Sequence, residues 1–173
     1  MQPGYEKRIL FRGRINAYTG YGLHSCQIIR DLAALGYDIT VVPTERDEEF
    51  APLPADIEKR MKAGSHRHEW ELLLHPPNIA PAKGRKTIFF TMWEASRLPE
   101  EWVGFLNRAE CVIVPCQWNA TCFSASGLDR PIRVVPLGIK EDVFKPVPMR
   151  ADGLCIFGAG GKVAGGGERK SLN

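Results

Sequence analysis

A chain of 173 residues has room for one α/β domain and little more. Its 25% charged residues sum to a net charge of only +3, with no Lys/Arg block interleaved with aromatics, which argues against a nucleic-acid partner. No run approaches the roughly 20 apolar residues of a membrane span, and charges stand in the first 14 residues where a signal peptide would be apolar, so the sequence reads as cytoplasmic.

Residues 7–11 read as a first strand, followed by a turn-rich loop over 12–22. Leu23, Cys26, Ile29, Leu32 and Ala33 then recur at three- and four-residue steps and predict a helix over 23–35. Gly36 follows where a helix C-cap glycine belongs. The β-branched run 38–42 predicts a second strand. Residues 44–54 are acidic and contain proline, hence a loop, and 55–63 make a short polar helix before Gly64. Residues 70–74 form a third strand that ends at His75-Pro76-Pro77, since proline brings no ladder donor. Residues 87–91 form a fourth.

Pro99-Glu100-Glu101 opens a helix that runs to about Arg108, with proline in its first turn and two carboxylates at the positive end of its dipole. A fifth strand covers 111–114, a helix 119–126 closes at Gly127, and a sixth strand covers 132–135. After a Pro-rich linker over 145–148, residues 154–157 begin another strand. Strands that are apolar throughout, alternating with helices, predict a doubly wound, Rossmann-like parallel sheet with helices on both faces. The expected division is 1–148 for this domain and 149–173 for a linker and the start of a second. Residues 158–173 hold six glycines and almost no apolar side chains, too few to order that segment alone.

Five cysteines without a CxxC pair read as reduced, mostly buried thiols rather than a redox or metal site. His66-Arg67-His68 lacks a third ligand at metal-binding spacing, so it reads as a solvated loop and no metal is expected.

In a doubly wound sheet ligands lodge beyond the carboxyl ends of the strands where strand order reverses. In the common order 3-2-1-4-5-6 that crevice lies between strands one and four. Two loops then face it. One is the 13–22 loop, where Gly20 and Gly22 let the backbone approach a ligand and the following helix aims amides at an anion. It matches neither GxGxxG nor a Walker A loop, and a tight turn is its plain alternative. The other loop, 92–97, carries Glu94. That carboxylate suits sugar hydroxyls or general-base work, or else it is a surface acid paired with Arg97. His75, at the end of strand three, has a pKa suited to proton transfer but also fits a hydrogen-bonded structural role. His24 lies in the first turn of the first helix.

From 91 to 146 the chain resembles the retaining glycosyltransferases of family 4, whose GT-B architecture has two Rossmann-like domains. The resemblance rests on Met92-Trp93-Glu94, on Arg97-Leu98-Pro99-Glu100-Glu101-Trp102, on Val112-Ile113-Val114-Pro115-Cys116, and most of all on Ile132-Arg133-Val134-Val135-Pro136-Leu137-Gly138-Ile139 with Asp142, Phe144 and Pro146. Tyr21-Gly22 and Leu35-Gly36-Tyr37-Asp38-Ile39-Thr40-Val41 extend it towards the amino terminus.

It implies one half of an enzyme that transfers a sugar from a nucleotide-diphosphate sugar to an acceptor, without metal or bound cofactor. Gly20, Tyr21, Gly22, His75 and Trp93 would line the substrate side, with Glu94 as the catalytic carboxylate. Leu154 to Gly158, followed by Glu168-Arg169-Lys170, resembles the family's donor-phosphate clamp, with Ser171 in place of the usual glycine. Cys116 stands where serine is usual. The resemblance also implies that this half is inactive alone; a domain standing by itself is expected to cover the face a second domain would meet by self-association, and peripheral membrane contact is a further expectation. The alternative is a non-catalytic Rossmann-like binding module. A nicotinamide oxidoreductase shares the fold class but would need the dinucleotide fingerprint.

Overall fold

A computed structural model describes residues 7–16, 19–44, 53–61, 68–139, 144–146, 148 and 152–153. The chain divides into two compact units, Met1–Leu137 and Gly138–Asn173. Few residues of the second are described, and the strand expected over 154–157 lies outside them, as do Arg169 and Lys170.

The first unit is an α/β domain built on one six-stranded sheet. The strands are β1 (Arg8–Gly13), β2 (Asp38–Pro43), β3 (Trp70–Leu74), β4 (Lys86–Phe90), β5 (Cys111–Val114) and β6 (Ile132–Val134). All five pairings are parallel. The helices are α1 (Gly20–Ala34), α2 (Ala55–Met61), α3 (Glu100–Leu106) and α4 (Gln117–Ala125). The α/β, all-parallel, Rossmann-like character expected from the apolar strands is therefore present.

Strand alternation sorts the core into two layers. Phe11, Ile39, Val41, Leu74 and Phe90 pack with Cys26 and Ile29 of α1 and Ile57 of α2. Leu73, Phe89, Val112 and Val114, on the opposite face, pack with Val103 and Leu106 of α3 and Ala120, Cys122 and Phe123 of α4. Each sheet face is covered by its own pair of helices over the central strands, while Val42 of β2 and Val134 of β6, on the two edge strands, stay exposed.

The sheet order is β2-β1-β3-β4-β5-β6, which corrects the expected 3-2-1-4-5-6. The third strand pairs with the free side of β1, with Phe11 beside Leu72 and Gly13 beside Leu74, rather than adding beyond β2. A buried ion pair marks that junction. Glu71, only 1% exposed, sits with its carboxylate 2.8 Å from Arg12 Nε and accepts hydrogen bonds from Thr87 Oγ1 at 2.7 Å and the Ala82 amide at 3.0 Å. Arg12 also donates to the Ala80 carbonyl at 2.6 Å. No helix lies between β3 and β4. The 75–85 connection crosses the sheet there, fastened by this pair, so each buried charge has partners that offset its lost hydration.

α1 starts three residues before the predicted 23. Thr19 is its N-cap, and the Thr19 hydroxyl accepts from the Gly22 amide at 3.1 Å. That bond satisfies an amide that helix geometry leaves without an acceptor. Gly36 adopts φ +82°, and the Gly36 and Tyr37 amides return to the carbonyls of Ala33 and Leu32. This is the left-handed ending expected of a C-cap glycine. Two further expectations are corrected. Cys116 is exposed, because it occupies the N-cap of α4 at the sheet rim. His68 is buried under the start of β3 rather than solvated, while His66 and Arg67 lie outside the described residues.

Candidate functional site

The strand order places the topological switch between β1 and β3, with β2 on one side and the rest of the sheet on the other. Ligands of such sheets bind beyond the carboxyl ends at this point. The β1–α1 turn, described at residues 14–16 and 19, and His75 with its following loop leave those ends. The β4–α3 turn (residues 92–98) stands one strand further on. β3 separates β1 from β4 by two strand spacings, about 10 Å.

Tyr21, in the first turn of α1, spans that gap. Its hydroxyl lies 3.3 Å from both the carbonyl oxygen and the amide nitrogen of Met92, so it donates to one and accepts from the other. The buried Thr91 precedes Met92 at the end of β4. Burial raises the Tyr21 pKa, while the neighbouring Thr91, the bonds to Met92 and the positive charge of Arg14 oppose the rise and Glu94 adds to it. Arg14 comes from the β1–α1 turn and Glu94 from the β4–α3 turn. The Tyr21–Met92 hydrogen bonds join the first turn of α1 to the β4–α3 turn along this rim.

The β1–α1 turn is held by its own side chains. Asn16, buried, accepts on Oδ1 from the Thr19 amide at 2.8 Å and the Thr19 hydroxyl at 2.9 Å. Gly22 is buried against this knot, and a Cβ there would collide with the side-chain and main-chain oxygens of Asn16. Its glycine requirement thus has an internal cause. Gly20 differs: it is exposed, and among the described residues no atom beyond its chain neighbours and its own helix backbone lies within 4 Å of where a Cβ would project. Of the two glycines, Gly20 leaves room for an approaching group.

The β4–α3 turn is held from outside. One face of α4 presents Asn119, Cys122 and Ser126 at helical steps of three and four. Asn119, 4% exposed, donates to the Trp93 carbonyl at 2.6 Å. The Cys122 thiol reaches the Ala95 carbonyl at 3.3 Å, and Ser126 Oγ accepts from the Leu98 amide at 3.0 Å. Glu94, exposed, is thereby flanked on both sides by fixed backbone. The Trp93 indole folds inward, donating to the Arg97 carbonyl at 2.9 Å and standing edge-on to Trp102 at 4.7 Å between centroids. It shapes the turn.

His75 lies at the rim with its ring enclosed, 2% exposed. Its Nδ1 is 2.9 Å from the Pro76 carbonyl, and since a carbonyl only accepts, that contact puts the proton on Nδ1. The backbone amide of His75 donates to the Phe90 carbonyl, tying the ends of β3 and β4. His24 packs edge-on to Phe90 at 5.2 Å, and burial holds its pKa below the usual value, with Asp31 acting in the other direction.

Arg14, Thr91 and the Asn119–Cys122–Ser126 stripe were missed by sequence reasoning. The stripe had a weak signal, because Asn119, Cys122 and Ser126 recur at helical steps of three and four among other polar residues of α4 and its cap. Arg14 carried none, being one arginine among several. Among the described residues no group of three His, Cys, Asp or Glu is placed to hold a metal ion, and no helix is long and apolar enough to cross a membrane. No protein-family model matches the chain, and no curated protein matches it in sequence.

Proposed function

We propose that this chain contains the acceptor-side domain of a retaining glycosyltransferase, which moves a sugar from a nucleotide-diphosphate donor to an acceptor hydroxyl. One observation carries the reading. Across the switch point of a parallel sheet, the Tyr21 hydroxyl bonds the Met92 backbone and ties the first turn of α1, which follows Arg14, to the turn that carries Glu94. A cation beside a helix N-terminus suits a diphosphate, and an exposed carboxylate on a fixed turn suits hydrogen-bonding sugar hydroxyls.

In this reading the donor diphosphate meets Arg14 and the open backbone at Gly20. Glu94 orients the reacting hydroxyl. Arg169 and Lys170 neutralise the departing phosphate, as the resemblance of 154–158 and 168–170 to the family's clamp implies. Tyr21 keeps the two turns in register, and His75 and Trp93 support the wall from within. The family's own pattern, rather than the cleft, supplies the retaining stereochemistry.

The test is nucleotide release from a panel of UDP-, GDP- and ADP-sugars with simple glycoside acceptors, measured for this chain and for the complete product of its gene. Release is expected from the complete product, reduced at least about tenfold by Glu94→Gln. Silence across all donors and acceptors counts against the enzyme. Ligand binding without turnover in either form would instead identify a non-catalytic binding module, a reading favoured by the separate core of the Met1–Leu137 unit.

A further inference from the structure

The structure holds four tryptophans in its described part. Trp93 and Trp102 stand against each other, and Trp70 lies under the Lys86 ammonium at 5.4 Å. Trp118 is the exception: among the described residues its ring has no aromatic or cationic partner, and it is 51% exposed. It sits in the first turn of α4, at the carboxyl rim of the sheet, on the same side as the switch point.

Its position relative to Glu94 is bounded by covalent geometry. The next residue, Asn119, hydrogen-bonds the Trp93 carbonyl at 2.6 Å, and Trp93 immediately precedes Glu94. One Cα step, a carboxamide side chain, the hydrogen bond and the carbonyl-to-Cα distance together place the Cα atoms of Trp118 and Glu94 within about 13 Å. One helical turn below Trp118, Cys122 holds the Ala95 carbonyl. Trp118 and Cys122 therefore share a helix face, and a helical side chain leans towards the helix N-terminus, which here is the rim. A half-exposed indole and an exposed carboxylate thus stand on neighbouring elements joined by the Asn119 and Cys122 hydrogen bonds, their Cα atoms within that bound.

We propose that Trp118 is the stacking platform of the acceptor site, receiving the C–H face of a pyranose while Glu94 accepts hydrogen bonds from hydroxyls at its edge. A pyranose divides its surface in this way, apolar on a ring face and polar around the rim, so an indole beside a carboxylate matches it on both counts. The inference rests on the glycosyltransferase reading for the word acceptor, but its test is separate.

The four indole N–H resonances of the 15N-labelled 173-residue chain are followed during titration with methyl pyranosides of gluco, galacto and manno configuration, and in parallel with UDP-glucose and GDP-mannose. The Trp118 resonance is expected to move saturably with at least one pyranoside. Trp118→Ala should weaken that pyranoside about tenfold and Trp118→Phe much less, with the affinity for nucleotide sugars unchanged. Unfolding curves of both variants, which alter an exposed side chain, should match the parent. Pyranoside binding that survives Trp118→Ala, or that leaves the Trp118 resonance still, overturns the platform. A chain that binds nucleotide sugars but no pyranoside overturns the platform and leaves the glycosyltransferase reading standing. A chain and complete gene product that bind neither overturn both.

Discussion

The two turns that meet at Tyr21 are built in opposite ways. The β1–α1 turn is fastened by its own residues: Asn16, Thr19 and Gly22 are three positions apart, and each bond or close contact stays within that span. The β4–α3 turn takes its fastenings from afar, from Tyr21 on α1 and from Asn119, Cys122 and Ser126 on α4. A local knot can form as soon as α1 nucleates, because few residues need ordering to close it. A turn held by another helix acquires its shape only after that helix has docked. Arg14 is thus presented by a self-contained element, and Glu94 by the assembled fold.

This contrast can be broken by substitution. Gly22→Ala should have the largest effect, about 2–3 kcal/mol of stability lost in urea unfolding, since the added methyl group strikes the backbone of Asn16 as well as its side chain. Its amide chemical-shift changes should centre on residues 14–25. Asn119→Ala should cost about 2 kcal/mol by leaving the Trp93 carbonyl short of a donor in a part-buried place. Its shift changes should cluster in 92–98 and leave the β1–α1 turn untouched. Changes that spread equally over both turns in either variant would show that they form one cooperative unit.

The smallest effect concerns pH. Burial depresses the His24 pKa below its ordinary 6.5, so the unfolded chain binds a proton there that the folded chain refuses. The stability owed to the neutral ring is complete above that ordinary value and declines as pH falls from it towards the folded-state pKa. His24→Leu should therefore lose less Tm than the parent on acidification from about pH 7.5 to about pH 5. Equal losses would place the pH sensitivity of this region elsewhere.

Much of the architecture was legible in the chain. Strand β3 and strand β5 run over the predicted residues, because short, mostly apolar runs bounded by Pro76-Pro77 or by a polar turn leave little freedom. Gly36 marked the end of α1 correctly, for only a left-handed residue closes that turn without strain. The start of α1 was misplaced for the opposite reason. Its first residues, Gly20-Tyr21-Gly22, have poor helix propensity, and the Thr19 cap together with the Asn16 knot offsets it. Of the candidate site residues, Gly20, Tyr21 and Glu94 do lie along one rim, whereas His75 is enclosed and Trp93 is half-buried against Trp102.

Periodicity and turn chemistry are properties of neighbours along the chain, and they were enough to specify a parallel α/β sheet, its helices and the two loops worth watching. Strand order is a different matter, since nothing local distinguishes a third strand that pairs with β1 from one that adds beyond β2. That choice required the Arg12–Glu71 pair and the packing of Leu72 and Leu74 beside β1, contacts between residues some sixty positions apart. The placement of Glu94 follows the same logic, because the side chains that hold its turn are brought there only by the packing of α1 and α4 onto the sheet.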